Sequence, residues 1–381
     1  MPKDILSPPD LLSAEDVLQA LEMNCVDHEE TDRFFVVPGK HGPRWLIPAQ
    51  SRASVTVLGS WRPYSLSSRI KWGVIKMAAR AEALHLVRNV SCVSASRGGT
   101  LQWLQRCGIS SQDSGMVILV GNPSPDRKLI VFLLDGAHRI AAVLKIGLTV
   151  GAGLSILREA EVLAKLQNYQ WVAKILSIES NRRAAAQKFV EGKMPNRGFQ
   201  PAYMDLLCNF PTSGAFKSFA DVAEDLANRL SPFKSKLDDL APGLLDRCHA
   251  CLDRKIDVPT MLVHGDFSPW NLRDNPETGL VLVDWEWASF DGLPAQDLLH
   301  FQFSDDRLFG EKAGGYAAIR EKSISAEYFR RMNLDLELLP YLALAYMLDQ
   351  LDAHCNNRGP QYIPYALRQL GIIVASLDSK A

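Results

Sequence analysis

Three oxygen-bearing residues stand at a spacing that suits chemistry on a phosphate. Asp266 and Asn271 lie in Val263-His264-Gly265-Asp266-Phe267-Ser268-Pro269-Trp270-Asn271, and Asp284 follows in Val283-Asp284-Trp285-Glu286. The run Thr260-Met261-Leu262-Val263 reads as a short strand delivering a loop. Asn271-Leu272-Arg273 then passes through the turn 274–279 into the returning run 280–283. Pairing these runs about that turn sets Leu272 opposite Val283, Arg273 opposite Leu282, and Asn271 opposite Asp284. Paired Cα atoms in such a hairpin are roughly 4.5–5.5 Å apart. Two oxygen donors converging on one point suit Mg²⁺, a hard ion that takes a few protein oxygens together with phosphates and waters. Asp266 falls outside the pair and is available to accept the proton of an attacking hydroxyl. Phosphoryl transfer asks for little more, because positioning and charge neutralisation supply most of its catalysis.

The elements that must hold these residues are spread over 381 positions, more than one hydrophobic core usually serves. Apolar residues make up 47% and charged residues 22%, the composition of an ordinary globular protein. A net charge of -1 gives no signal for nucleic acid. Residues 1–9 lack the basic region and apolar run of a secretory signal, and no apolar stretch reaches the roughly 18–20 residues of a membrane span. Seven scattered cysteines argue against a disulfide framework and fit a reducing cytoplasm. Cys248-His249-Ala250-Cys251 has a metal-like spacing without a second pair, so two buried helix thiols are the preferred reading.

Along the chain, residues 10–23 read as a helix with Ser13 as N-cap and Asp16 three positions later. The acidic run 27–32 reads as a solvated connector. Residues 34–37 and 45–47 read as paired strands around the turn 38–43. From 66 to 89 a helical pattern sets Ile70, Val74, Met77, Ala81 and Leu84 on one face. Its charges are Arg69, Lys71, Lys76, Arg80 and Arg88 against Glu82 alone. An ordinary packed helix with solvated charges is preferred there over a basic amphipathic helix against a membrane surface.

The next unit carries strands at 116–120, 128–134 and 140–146, the last bearing Lys145, and a helix over 155–167 bearing Glu159 and Glu161. Two strands, a lysine-bearing strand and a glutamate-bearing helix follow the order of a kinase nucleotide lobe. A strand over 184–192 runs into Lys193-Met194-Pro195, where a hinge is expected. Beyond it the pattern is helical, with Ser218 and Asp221 capping one helix and further helices over 243–255, 326–332, 339–354 and 365–377.

At the central stretch the sequence resembles the aminoglycoside phosphotransferase and choline kinase family, the small-molecule branch of the protein-kinase-like fold. The residues that carry the likeness are His264-Gly265-Asp266-Phe267-Ser268-Pro269-Trp270-Asn271 followed by Val283-Asp284-Trp285-Glu286. It extends over roughly 113–300, weakening outward, and residues 1–110 have no clear counterpart. The resemblance implies Asp266 as catalytic base, Asn271 and Asp284 as magnesium ligands, and Glu286 reaching the metal through water. It implies that His264 orders the loop and that Asp297 braces it through the backbone. Lys145 would hold the α/β phosphates of ATP, oriented by Glu159, with Glu161 the less favoured partner. Ser124, in the loop 121–127, would contact the nucleotide.

One departure stands out: the loop 121–127 carries two prolines and no Gly-x-Gly, although backbone amides can still cradle phosphates. The fold expected is α+β and bilobal, protein-kinase-like, with a small antiparallel-sheet nucleotide lobe, a larger helical lobe and an amino-terminal α/β extension. The expected divisions are 1–112 (extension), 113–192 (nucleotide-binding lobe) and 193–381 (helical catalytic and acceptor-binding lobe). The function expected is ATP- and Mg²⁺-dependent transfer of the γ-phosphate to a hydroxyl of a small molecule. A catalytically inactive kinase-like protein that binds a ligand or partner is the alternative. Asp305, Asp306, Asp349 and Asp352 would suit a cationic acceptor, but a solvated acidic face is the preferred reading.

Overall fold

The computed structural model describes residues 12–23, 31–50, 54–60, 66–110, 114–196, 198–309, 315–321, 323–356 and 359–379. Residues 1–9 and most of the acidic run 27–32 lie outside them. The chain divides into two compact units, Met1–Glu191 and Gly192–Ala381.

The first unit opens with α1 (Ala14–Ala20), β1 (Thr31–Gly39), β2 (Gly42–Pro48), α2 (Val55–Ser60), α3 (Leu66–Arg80), β3 (Ser91–Ser96) and α4 (Arg97–Arg106). It continues with β4 (Gly115–Val120), β5 (Lys128–Leu134), β6 (Ile140–Gly147), α5 (Val150–Lys165), β7 (Ile175–Glu179) and β8 (Ala184–Lys188). The eight strands form one antiparallel sheet in the order β3-β1-β2-β4-β5-β6-β8-β7. The period-two alternation explains why both faces are buried. Met116, Ile118, Val120, Leu129, Val131 and Leu133 enter one core with α1 and α4, while Val117 and Leu134 enter another with α2 and α3.

No boundary falls at residue 112. β2 pairs directly with β4, Trp45 facing Leu119 and Leu46 facing Ile118, so the first strands extend the sheet rather than form an appended extension. The sheet unit is therefore as long as the helical one. Thr31 and Asp32, expected in a solvated connector, begin β1, and Asp32 accepts a 2.6 Å hydrogen bond from Thr100 Oγ1.

α3 differs from its expected orientation. It ends at Arg80, with Glu82 left-handed at φ +54°, and a separate single turn covers Leu84–Leu86. Trp72 and Ala79 face inward, Trp72 donating to the Leu58 carbonyl at 3.0 Å and packing on Trp45. Ile70, Val74 and Met77, expected to pack, are 64%, 51% and 69% exposed. The two bulky indoles fix which face turns inward, and Ile70, Val74 and Met77 are left outside.

The second unit comprises α6 (Pro201–Cys208), β9 (Thr212–Ser218), α7 (Phe219–Leu230), α8 (Lys234–Leu240), α9 (Leu244–Leu252), β10 (Asp257–Val263), β11 (Leu272–Asn275), β12 (Gly279–Leu282) and β13 (Ser289–Gly292). Helices α10 (Gln296–Phe309), α11 (Gly315–Glu321), α12 (Ser323–Arg331), α13 (Leu339–Cys355) and α14 (Ile363–Asp378) complete it. A small sheet β13-β10-β9 contains the strand expected at Thr260–Val263, adds β9 and β13, which were not expected, and supports the loop after Val263. Among the described residues no helix is long and apolar enough to cross a membrane.

Candidate active site

The loop after β10 is held from both ends. Asp297, at the start of α10, accepts from the backbone N–H of His264 at 2.7 Å and of Gly265 at 2.9 Å. Burial pushes its carboxyl above the ordinary carboxylate range, and those two donors with His264 oppose the shift. Gly265 has φ +81°, and a Cβ there would lie 2.5 Å from the Trp287 carbonyl oxygen, so only glycine fits the bend. His264 is fully buried. Its Nδ1 accepts from the Asp266 N–H at 3.2 Å, and its Nε2 lies 3.1 Å from the Val283 carbonyl. Burial lowers its pKa, which keeps the ring neutral with its hydrogen on Nε2.

Asp266 is thereby presented on a rigid bend, and its carboxylate is gripped by three side chains. Asn271 Nδ2 donates to Oδ2 at 2.9 Å, Ser268 Oγ to Oδ1 at 3.3 Å, and His300 Nε2 lies 3.0 Å from Oδ1. Burial alone would raise this carboxyl. The His300 hydrogen bond, then the neighbouring His264 ring and the Asn271 hydrogen bond, outweigh it and hold the group below its usual range.

The hairpin register is one residue from that expected. Leu272 faces Leu282 and Arg273 faces Val281, and the Asn271 carbonyl accepts from the Val283 N–H at 2.9 Å. Asn271 therefore pairs with Val283, and Asp284 lies one position beyond. The reason is the turn. Asn275 pairs with Gly279 around three residues, its Oδ1 accepting from Glu277 and Thr278, and Gly279 supplies φ +78°. Asp284 itself is left-handed at φ +70°, a conformation uncommon outside glycine but tolerated by aspartate. Asp284 and Glu286 are both half-buried.

As a cation site these residues offer hard oxygens: the Asp284 carboxylate and the Asn271 amide oxygen. The Asn271 amide nitrogen is committed to Asp266, to both its carboxylate and its carbonyl, which leaves Oδ1 as the atom that would face a cation. Among the described residues, no group of three or more His, Cys, Asp or Glu forms a closed cage. One carboxylate and one amide oxygen fit Mg²⁺, which keeps waters and takes substrate phosphates. At the metal-like cysteine spacing, burial pushes the Cys248 thiol up to about 12, the environment of an inert core residue.

In the sheet unit, Ala142, Leu144 and Ile146 of β6 enter the core, so Lys145 points to the opposite face. There α5 brings Glu159, and Lys145 Nζ contacts its two oxygens at 2.8 and 2.7 Å. Glu161 is on the exposed side of the helix. The loop carrying Ser124 is closed by the Arg127 N–H to the Ser124 carbonyl. It is also braced by Arg127 Nε to the Gly121 carbonyl and by Arg44 of β2, which reaches the Val120 carbonyl and Asn122 Oδ1. Of the four aspartates expected on a solvated face, Asp306 and Asp352 are buried and Asp305 and Asp349 are half-buried. Arg229 engages Asp349 and the buried Asp352, and Tyr365 donates to the buried Asp306 at 2.7 Å.

His300 escaped the sequence reading. Its signal was its place three residues after Asp297 on the same helix, one turn on and therefore near the same face.

The profile of the phosphotransferase enzyme family (APH) matches residues 129–334, more than half the chain. Comparison with curated proteins returned no match. Among solved structures, a candidate aminoglycoside phosphotransferase from Ralstonia eutropha is 14% identical with a TM-score of 0.48, covering 73% of this chain and 98% of that one. A thermostable variant of aminoglycoside phosphotransferase APH(4)-Ia with ADP and hygromycin B is 14% identical, TM-score 0.47, covering 73% and 98%. Aminoglycoside phosphotransferase APH(2")-IIa with gentamicin is 16% identical, TM-score 0.45, covering 71% and 94%. By the extent of the profile match, the chain belongs to the phosphotransferase enzyme family.

Proposed function

We propose that the protein is a small-molecule kinase that moves the γ-phosphate of ATP, with Mg²⁺, to a hydroxyl of its acceptor. The observation that carries this reading is the seating of Asp266, a carboxylate kept ionised and aimed by Asn271, Ser268 and His300 on a glycine bend. Binding alone asks for no such base, which disfavours an inactive kinase-like binder.

In this reading Asp266 accepts the proton of the acceptor hydroxyl as its oxygen bonds to the γ-phosphorus. The bond to the β-bridging oxygen breaks, and ADP leaves. His300 is a positioning residue: it fixes the carboxylate and favours its charged form. Asn271 and Asp284 would hold Mg²⁺, which supplies charge neutralisation on the phosphates. Lys145, oriented by Glu159, would neutralise the α/β phosphates, and the loop bearing Ser124 would cradle them through its backbone. His264 and Asp297 keep the loop's shape.

The test is an ATP-consumption screen over polyols, amino alcohols and amino sugars, with Asp266→Asn as control. Turnover should appear with the right acceptor and vanish in Asp266→Asn while Mg-ATP still stabilises that variant. Asp284→Ala should lose the metal-dependent part of the stabilisation. A wild-type protein that Mg-ATP does not stabilise against heat would overturn the kinase reading.

A further inference from the structure

The outward face of α3 is used by nothing described so far. Ile70, Val74 and Met77 stand at i, i+4 and i+7, and at about 100° per residue they form a single ridge. Their exposures of 64%, 51% and 69% are those of side chains standing in water. Single exposed apolar residues are ordinary, but an aligned ridge on a helix whose opposite face already packs is not. Exposed Lys71 flanks the ridge on one side, and exposed Arg69 and Arg80 flank it on the other. Beyond Glu82, the only acidic residue between 66 and 89, Leu86 is 75% exposed and Arg88 is exposed as well.

We propose that this face of α3 is a peripheral membrane contact, its apolar ridge entering the interface of a lipid surface whose anionic headgroups pair with the flanking cations. The charge complementarity selects the occupant. Cations on both flanks of an apolar ridge match a laterally continuous negative surface, the arrangement of a helix lying in the interface plane. Trp72 and Ala79 anchor the helix from behind, so the ridge is presented by a fixed element and needs no folding on contact. The inference is independent of the phosphotransferase reading.

The test is co-sedimentation of the full chain with phosphatidylcholine vesicles, with and without phosphatidylglycerol. Binding is expected only with phosphatidylglycerol, and it should weaken as salt rises from about 50 mM to about 500 mM. Each basic residue near such a surface contributes about a fivefold factor in affinity. Lys71→Glu with Arg80→Glu should therefore weaken binding by about twentyfold or more. Ile70→Glu with Met77→Glu should abolish it, with circular dichroism and melting temperature unchanged because both sites are exposed. Absence of binding to anionic vesicles, or equal binding by Ile70→Glu/Met77→Glu, overturns the proposal. Self-association without vesicle binding, lost in that variant, would assign the ridge to a second copy and overturn it equally.

Discussion

His300 stands between Asp266 and Tyr346: Nε2 lies 3.0 Å from Asp266 Oδ1, and Nδ1 lies 3.2 Å from the Tyr346 hydroxyl. Burial pushes the Tyr346 phenol far up, so it keeps its hydrogen. A phenol that donates to Nδ1 leaves Nε2–H to donate to the Asp266 carboxylate. The three residues come from a loop, α10 and α13, so the orientation of the Asp266 carboxylate is built into the helical packing. Removing His300 should both loosen Asp266 and let its pKa rise toward the ordinary carboxylate range. His300→Ala is expected to lower turnover by about tenfold or more with the KM for ATP little changed. The acid limb of its pH profile should move to higher pH, and His300→Gln, which keeps a donor, should recover part of the rate. An unmoved acid limb would remove His300 from the base's control.

The Asp266 shift also has a stability consequence. A carboxyl whose folded pKa is depressed stabilises the fold above its unfolded pKa of about 3.9, and that contribution is lost as pH falls through the lower folded value. Asp266→Asn should therefore flatten the fall in melting temperature of the wild type below about pH 4. Asp297 acts with the opposite sign, because burial raises its carboxyl and makes its charged form costly in the fold. The pH dependence assigned to Asp266 is thus to be read as the difference between wild type and Asp266→Asn.

Glycine geometry gives a pair of substitutions that separates strain from collision. Gly265 and Gly279 share a left-handed φ, +81° and +78°, but a Cβ on Gly265 meets the Trp287 carbonyl whereas one on Gly279 meets nothing within 4 Å. Gly279→Ala should cost about 1 kcal/mol in urea unfolding, the backbone contribution alone. Gly265→Ala should cost about 2–4 kcal/mol and displace Asp266, so activity falls even where the protein remains folded. Equal costs for the two would mean that the bend tolerates a side chain.

The candidate centre could be picked out because its residues are close in sequence and of types that the proposed reaction would use. Asp266, Asn271 and Asp284 stand out from the chain on spacing alone. What sequence could not carry was anything set by a turn's internal count or by packing from afar. The Asn275 side chain closes a three-residue loop, and that single residue of difference moves Asn271 from Asp284 to Val283. The α3 helix was recognisable from its period, but which face turns inward was decided by Trp72 meeting Trp45, a long-range contact no local pattern contains. The role of residues 31–96 was hidden for the same reason, since strand alternation marks a strand without naming its neighbour. Only the pairing of β2 with β4 joins them to the sheet and brings Arg44 to the loop bearing Ser124.

The Lys145–Glu159 pair offers a test that separates stability from nucleotide recognition. Both side chains are nearly excluded from solvent, with 10% and 4% exposure, and the ammonium touches both carboxylate oxygens. Removing one partner strands a buried charge, so Lys145→Ala should cost about 3–5 kcal/mol. Replacing both by apolar groups of similar volume, Lys145→Met with Glu159→Leu, removes the two desolvation penalties together and should be close to neutral. A folded protein lacking the Lys145 cation and its Glu159 partner then becomes available. Mg-ATP at about a hundred times its dissociation constant stabilises a binding protein by about 2.7 kcal/mol, visible as a melting shift of several degrees. The wild type should show that shift and the double variant should lose most of it. A double variant that melted like the wild type and kept the full shift would mean that Lys145 is a structural ion pair and that the phosphates are held elsewhere.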